Sequence, residues 1–356
     1  MNLRSRLFSA PVLALTPSAD EPEIVPGEFS LLRVARRAMA TTFEIAIPGG
    51  SHPDAVAAAT DALDLIDDLE DQMTVYREHS EISLLNAAAW AGPVEVEPRL
   101  FELLERCVAW SRDTEGAFDI AAGSLIRAWG FHRREGRVPS QRERADAMAR
   151  TGSRHLVLNP ETRSVKYRRE GLEINLGAVG KGYALDRAAE LLRDRWGVVS
   201  ALLHGGGSSV YAMGAPPGEP RGWPIRLRHP EDPARSLGTV HLRDRGLGTS
   251  AATYQFFEYK GRKLGHLLDP RRGWPADGTA SASAVCFSAA EADAFSTAAF
   301  VLGQAGTELV SRLKPAVGFV LLSQQETLPR AINLPPDTYS PPGTAAPRAG
   351  TLWNES

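Results

Sequence analysis

Apolar and polar residues alternate over residues 42–47, where Phe43, Ile45 and Ile47 share one side of a predicted strand that ends at Pro48-Gly49-Gly50. Pro53 then opens a predicted helix over 53–72, with Val56, Leu63, Ile66 and Leu69 as its inner face. A second helix starts at Pro98 and carries Leu100, Leu103, Leu104, Cys107, Val108 and Ser111 at helical spacing. Gly116-Ala117-Phe118-Asp119 is a turn, and a short helix follows up to Trp129-Gly130-Phe131. Residues 133–150 are a charged surface excursion containing a helix, and 156–167 form a hairpin. Glu173-Ile174-Asn175-Leu176 is an apolar strand that runs into a glycine-rich turn and an Ala/Leu-rich helix. Further strands are predicted at 198–203, 225–227, 238–242, 247–250, 282–287 and 317–322, with an aromatic stretch at Tyr254, Phe256, Phe257 and Tyr259 and a helix over 289–302. Hairpins mix with helices rather than alternating as β-α-β, which predicts an α+β fold of mixed and antiparallel sheets with packed helices. Residues 1–29 are expected to be a loose leader, 30–333 one domain, and 334–356 a Pro-rich tail, disordered or draped.

With 356 residues and 43% hydrophobic content, the chain can bury a large core. Net charge is −3 with the two signs interspersed, so neither a nucleic-acid footprint nor a polybasic membrane surface is expected. Cys107 and Cys286 are far apart and in apolar settings, and both are expected in the core. No apolar run is long enough to span a bilayer. Arg4 and Arg6 precede a short apolar stretch broken by Pro11, a poor signal peptide, and no cysteine before Cys107 could carry a lipid anchor. The compartment stays open.

Two segments carry candidate chemistry. Glycines at 177, 180 and 182 surround Lys181 at the start of a helix, where free N–H groups and the positive dipole end favour an anion. The spacing is not that of a P-loop, and the segment reads as a phosphate cradle or simply a tight turn. In the 289–302 helix, Asp293 and Thr297 are four apart, which puts a carboxylate and a hydroxyl on one face. Both are hard oxygen ligands suited to Mg²⁺ with substrate phosphates, although a dipole-complementing Asp and a packed Thr would look the same. Together, cradle and oxygen face point to metal-assisted phosphate transfer. The acids of the 53–72 helix (among them Asp61, Asp64 and Asp67) have no histidine or second cluster beside them and read as a solvated face.

In order, the motifs resemble the ApbE family of FAD:protein FMN transferases. Met39-Ala40-Thr41-Thr42-Phe43 is similar to its Met-Gly-Thr-Thr start, and residues 73–86, Met-Thr-Val-Tyr-Arg-Glu-His-Ser-Glu-Ile-Ser-Leu-Leu-Asn, resemble its Ser-x-Tyr-x-x-x-Ser-Glu-Ile-x-x-Leu-Asn signature. Gly116–Asp119 through Trp129-Gly130-Phe131, the Gly177–Asp186 segment, Thr249-Ser250, His266-Leu267-Leu268-Asp269-Pro270 and the Asp293–Thr297 helix complete a set spanning roughly residues 34–305.

The resemblance implies an ApbE-like, T-fold-related architecture and an enzyme that moves the FMN half of FAD onto a threonine hydroxyl of a partner protein, releasing AMP, with Mg²⁺. It implies metal ligation by Asp293, Thr297 and the backbone carbonyl of Ala178, and FAD contacts at Met39, Tyr76, Ala117, Phe118, Asp119, Asn175, Lys181 and Leu267. His266 and Asp293 are the catalytic candidates: His266 takes or orients the acceptor proton, or else makes a structural hydrogen bond ahead of the Asp269-Pro270 turn. The acceptor is expected to be a separate redox or electron-transfer protein, since Asp277-Gly278-Thr279-Ala280-Ser281, only loosely like a flavinylation site, reads as a surface turn. The resemblance also favours an exported setting. Alternatives are an Mg²⁺-dependent FAD pyrophosphatase giving FMN and AMP, and an FAD-binding protein without turnover. The chain departs from the family at Asn175 (usually Asp), Ile120-Ala121 (Pro-Thr), Ala251 (Gly), His204 (Asn) and Ser208 (an acid).

Overall fold

A computed structural model describes residues 23–24, 30–133, 135–232, 234–251 and 256–343. The predicted leader (apart from residues 23–24), Tyr254 and the end of the tail lie outside the described residues. At the centre is an eight-stranded antiparallel sheet in the order Arg330–Ile332, Gly318–Ser323, Thr279–Cys286, Arg245–Ala251, Ser209–Met213, Ala201–Gly205, Thr41–Pro48, Leu31–Ala38.

One face of this sheet is covered by helices and the other by a second sheet. Phe43, Ile45 and Ile47 join the helix-side core, while Ala46, Leu202, Val210 and Ala212 meet Trp223, Ile225, Val240 and Leu242 of a four-stranded sheet. The Thr41–Pro48 strand is therefore buried on both faces from Phe43 onward, and its alternation marks two cores rather than core and solvent. Glu44, on the same face as Ala46, is answered by Arg33 at 3.0 Å and His204 at 3.5 Å. Part of the predicted tail completes the second sheet: Tyr339–Ser340 pairs with Ser236–Leu242.

The helical layer begins with α1 (Ala55–Met73) and α2 (Glu81–Ala88), followed by α3 (Pro98–Asp113), α4 (Gly123–Ala128) and α5 (Gln141–Ala149). It ends with α6 (Gly180–Asp194), α7 (Ala289–Leu302) and α8 (Gln304–Leu313). Helix α6 lies between α1 and α7, and α7 crosses the Arg245–Ala251 and Thr279–Cys286 strands. Helix α1 starts two residues later than the sequence predicts. Its buried stripe is Ala55, Ala58, Ala59, Ala62, Leu63, Ile66, Leu69 and Met73, so Val56 faces solvent rather than the core. Cys107 and Cys286 are buried free thiols.

Residues 173–176 form no regular element and join no sheet. Their backbone groups are satisfied from elsewhere: Asn86 Oδ1 accepts the Ile174 N–H at 2.8 Å and Asn86 Nδ2 donates to the Ile174 carbonyl at 2.9 Å. Asn175 N–H donates to the Ile120 carbonyl at 2.8 Å. The Asn86 amide and the Ile120 carbonyl thus stand in for a neighbouring strand, and buried Ile174 and Leu176 alternate with half-buried Glu173 and Asn175, which gives the strand-like pattern. Residues 277–281 are not the surface turn their sequence suggests. Thr279 opens a strand of the central sheet and is buried, so only Asp277 and Gly278 lie ahead of it.

Candidate active site

The glycine turn and the α7 oxygen face meet at one point. Gly182 is the third residue of α6, where a helix leaves its N–H without an intrahelical partner. That N–H donates to Asp293 Oδ2 at 2.8 Å, and Ser209 Oγ donates to Oδ1 at 2.8 Å. The close approach depends on glycine: a Cβ on Gly182 would lie 2.2 Å from the Ala289 carbonyl oxygen, and one on Gly248 would lie 2.4 Å from the Ala292 backbone. Helix α7 therefore rests almost directly on α6 and on the sheet.

Asp293 is buried, and burial pushes its carboxyl up to about 6, against the opposing pull of Lys181, Ser209 and the Gly182 N–H. One turn on, Thr297 Oγ1 donates back to the Asp293 carbonyl at 3.0 Å, with Ser250 Oγ 3.4 Å away. The hydroxyl's lone pairs remain available to a cation. Carboxylate and hydroxyl together offer hard oxygens on one face of α7. Among the described residues, Asp293 takes hydrogen bonds from neutral donors, the Gly182 N–H and Ser209 Oγ, while Lys181 acts on it through space; a divalent cation suits a buried carboxylate held in this way. Among the described residues, no group of three or more His, Cys, Asp and Glu side chains stands ready to hold a metal. A cation here would complete its shell with water and phosphate, as Mg²⁺ commonly does.

Beside this point opens a cavity of about 220 Å³ lined by Met39, Met73, Tyr76, Asn175, Gly177 and Lys181, among others. A second cavity, of about 290 Å³, shares Val75 and Asn175 with it. Met39 and Ala40 are the two-residue turn between the Leu31–Ala38 and Thr41–Pro48 strands, both with positive φ (48° and 61°). This turn presents Met39 to the cavity. Tyr76 stands at the rim, 71% exposed. Asn175 Oδ1 accepts the Gly177 N–H at 2.8 Å, so the amide closes the glycine turn on itself.

Of the predicted site residues, the structure brings Met39, Tyr76, Asn175 and Lys181 to one cavity and Asp293 and Thr297 to the adjoining helix face. Ala117 and Phe118 are core side chains and can offer a ligand only main-chain atoms. The Asp119 carboxylate is filled by Ser111 Oγ at 3.0 Å, Ala121 N–H at 2.8 Å, and Ser153 N–H and Oγ at 2.8 and 2.6 Å. It ties the turn together and has little left for a ligand. His266 and Leu267 link the Arg262–Gly265 and Leu268–Asp269 strands. Leu267 packs on the main core, and its carbonyl accepts the Ala276 N–H at 2.8 Å. Asp269 shapes its turn as expected, accepting from Arg271 N–H, Nε and Nη2 at 2.9–3.0 Å.

Sequence reasoning missed three supporting residues. Ser209 follows the glycine run at 205–207 and bonds Asp293. Asn86 ends the residue 73–86 motif and clips the segment leading to the glycine turn. Asp186 ends the Gly177–Asp186 motif and bonds the start of α7. The only signal for the last two was their place within a motif.

The ApbE family profile matches residues 39–321. The chain belongs to the ApbE family. It is 33% identical over 257 residues to the FAD:protein FMN transferase of Klebsiella pneumoniae (strain 342), covering 71% of this chain and 77% of that protein. It is 31% identical to the Treponema pallidum (strain Nichols) protein of the same name, covering 69% and 72%. Among solved structures, the flavinyl transferase ApbE of Pseudomonas stutzeri in its apo form matches with a TM-score of 0.75 and 25% identity, over 85% of this chain and 95% of that one. The ApbE protein of Thermotoga maritima has the same fold, with a TM-score of 0.76 at 24% identity over 85% and 97%.

Proposed function

We propose that this chain is an FAD:protein FMN transferase, moving the FMN half of FAD onto a threonine hydroxyl of a separate protein and releasing AMP. The observation that carries this reading is the Gly182 N–H to Asp293 bond. It joins the α6 start, with Lys181, to the Asp293–Thr297 face beside a cavity open at Tyr76. The family and the names of its relatives support flavin transfer to protein.

Met39 and Tyr76 suit packing on a flat ring, Lys181 answers phosphate charge, and Asn175 hydrogen-bonds FAD where the cavities meet. The 117–119 turn and Leu267 contribute contacts through the main chain. Asp293, Thr297 and the Ala178 carbonyl would hold Mg²⁺, which would supply positive charge to offset that of the pyrophosphate and the leaving phosphate. His266 takes the proton from the acceptor hydroxyl. The threonine Oγ–P bond forms, the pyrophosphate P–O bond breaks, and AMP departs with the bridging oxygen. The exposed rim at Tyr76 leaves the cavity accessible to a protein acceptor.

The test is product analysis after incubating the chain with FAD, with Mg²⁺ or EDTA, and with or without a peptide carrying Ser-Gly-Ala-Thr. Mg²⁺-dependent AMP together with FMN on the peptide threonine is the expected result. Bound but intact FAD in every arm would overturn the proposal.

A further inference from the structure

We propose that Asp186 is a positioning residue for the cation-holding face of α7, an inference that rests on the assignment of Asp293 and Thr297 above. Asp186 lies on α6, two turns inside the phosphate-cradle helix, and its carboxylate reaches across to the first turn of α7. It accepts from Ser288 Oγ at 2.6 Å, from the Ala289 N–H at 2.7 Å and from the Ala290 N–H at 3.0 Å. Ser288 Oγ in turn accepts the Glu291 N–H at 3.2 Å and is bonded by Arg106 at 3.0 Å. The first three N–H groups of α7 are thus capped by side chains, two of them by a carboxylate from another helix.

The capping is reciprocal. Asp186 of α6 caps the start of α7, while Asp293 of α7 bonds an N–H in the first turn of α6. The helices run antiparallel, and each fixes the other's end. Sliding or rotating α7 would stretch both sets of bonds, and the Gly182 and Gly248 contacts leave no gap for it to sink into. Asp293 and Thr297 are four and eight residues beyond Ala289, so their height and rotation above the cradle follow from this anchor. A misplacement of about 1 Å at such a site can cost about 100-fold in rate. Asp186 does not line the cavity, and its hydrogen bonds all go to the first turn of α7 and its cap; its charge also reaches Asp293, but as a like charge that raises that carboxyl, so it supports the face by holding α7.

Two constants test this on the full-length chain: the Mg²⁺ concentration for half-maximal AMP release from FAD, and the dissociation constant for Mn²⁺ without FAD, from the electron paramagnetic resonance signal of free Mn²⁺. Asp186→Ala should raise both by about tenfold or more, the loss usual for a supporting residue of a metal site. Asp186→Asn keeps one accepting oxygen and should fall between. A role confined to stability would lower the melting temperature and leave both constants alone. A folded Asp186→Ala with wild-type constants would overturn the proposal; should that variant not fold, wild-type constants in Asp186→Asn do the same. If Asp293→Ala also keeps wild-type constants, it is the cation assignment that fails.

Discussion

Gly182 and Asp293, 111 residues apart in the chain, are joined by a 2.8 Å hydrogen bond from backbone N–H to carboxylate. The bond fixes the start of α6 and the Asp293–Thr297 face of α7 as one unit. Asp293→Asn keeps an oxygen for the Gly182 N–H and removes the charge. Mg²⁺-dependent AMP release should drop by more than about 100-fold, beyond the loss typical of a merely supporting residue. Circular dichroism and the melting curve should stay near wild type. Undiminished turnover would remove Asp293 from the site.

The same contact makes Gly182 irreplaceable for a steric reason. The Cβ of Gly182→Ala would meet the Ala289 carbonyl at 2.2 Å, and backbone yields less readily than the end of a flexible side chain. We expect a loss of about 1–3 kcal/mol in urea unfolding, the usual range for overpacking, along with weaker Mg²⁺ dependence. Wild-type stability would mean that α6 and α7 separate more easily than their packing implies.

Much of this was legible in the sequence because it is local. The Asp293–Thr297 spacing, the glycines around Lys181, the bounds of α7 and the α+β class depend on residues within a few turns of each other. The supports were not legible because they are long-range. Ser209 is 84 residues from Asp293, and Asn86 is 88 from Ile174. The alternation at 173–176 predicts a strand for the same reason: its actual partners, the Asn86 side chain and the Ile120 carbonyl, are distant in the chain and leave no local signal.

Lys181 lines the cavity from the first turn of α6 and supplies the positive charge that acts on Asp293. Lys181→Ala should weaken FAD binding by about 10- to 100-fold, the scale of a hydrogen bond to a charged group. Riboflavin, without phosphate, should bind almost unchanged, and FMN should be affected less than FAD. Flavin-fluorescence titrations give all three constants. Equal losses would mean that Lys181 does not read the pyrophosphate.

Ala40 holds φ at +61° in the turn that presents Met39. A Cβ is disfavoured there by about 1–2 kcal/mol, part of which glycine's greater freedom in the unfolded chain would offset. Ala40→Gly should therefore stabilise the protein by about 1 kcal/mol in urea unfolding. FAD affinity should hold if Met39 keeps its place. A destabilised variant would show that the turn is unstrained.

Asp186 also predicts a pH dependence of stability. Burial is the main cause that raises its carboxyl to about 6, against the bonds from Ser288, Ala290 and Ala289, whereas an unfolded aspartate titrates near 3.8. Between these values the folded chain binds a proton that the unfolded chain does not. Its contribution to stability is fully present below the lower value and is lost as pH rises through the upper one. Metal-free protein should therefore gain from this group on going from pH 7 to pH 5, by about 1 kcal/mol once its partial exposure is discounted. Asp186→Asn has no such proton to bind, so the difference between wild type and variant should shift in favour of wild type over that window. Urea unfolding of both proteins in EDTA at pH 7 and pH 5 gives the comparison. A difference that stays constant would mean that the carboxylate in the α7 cap remains charged throughout.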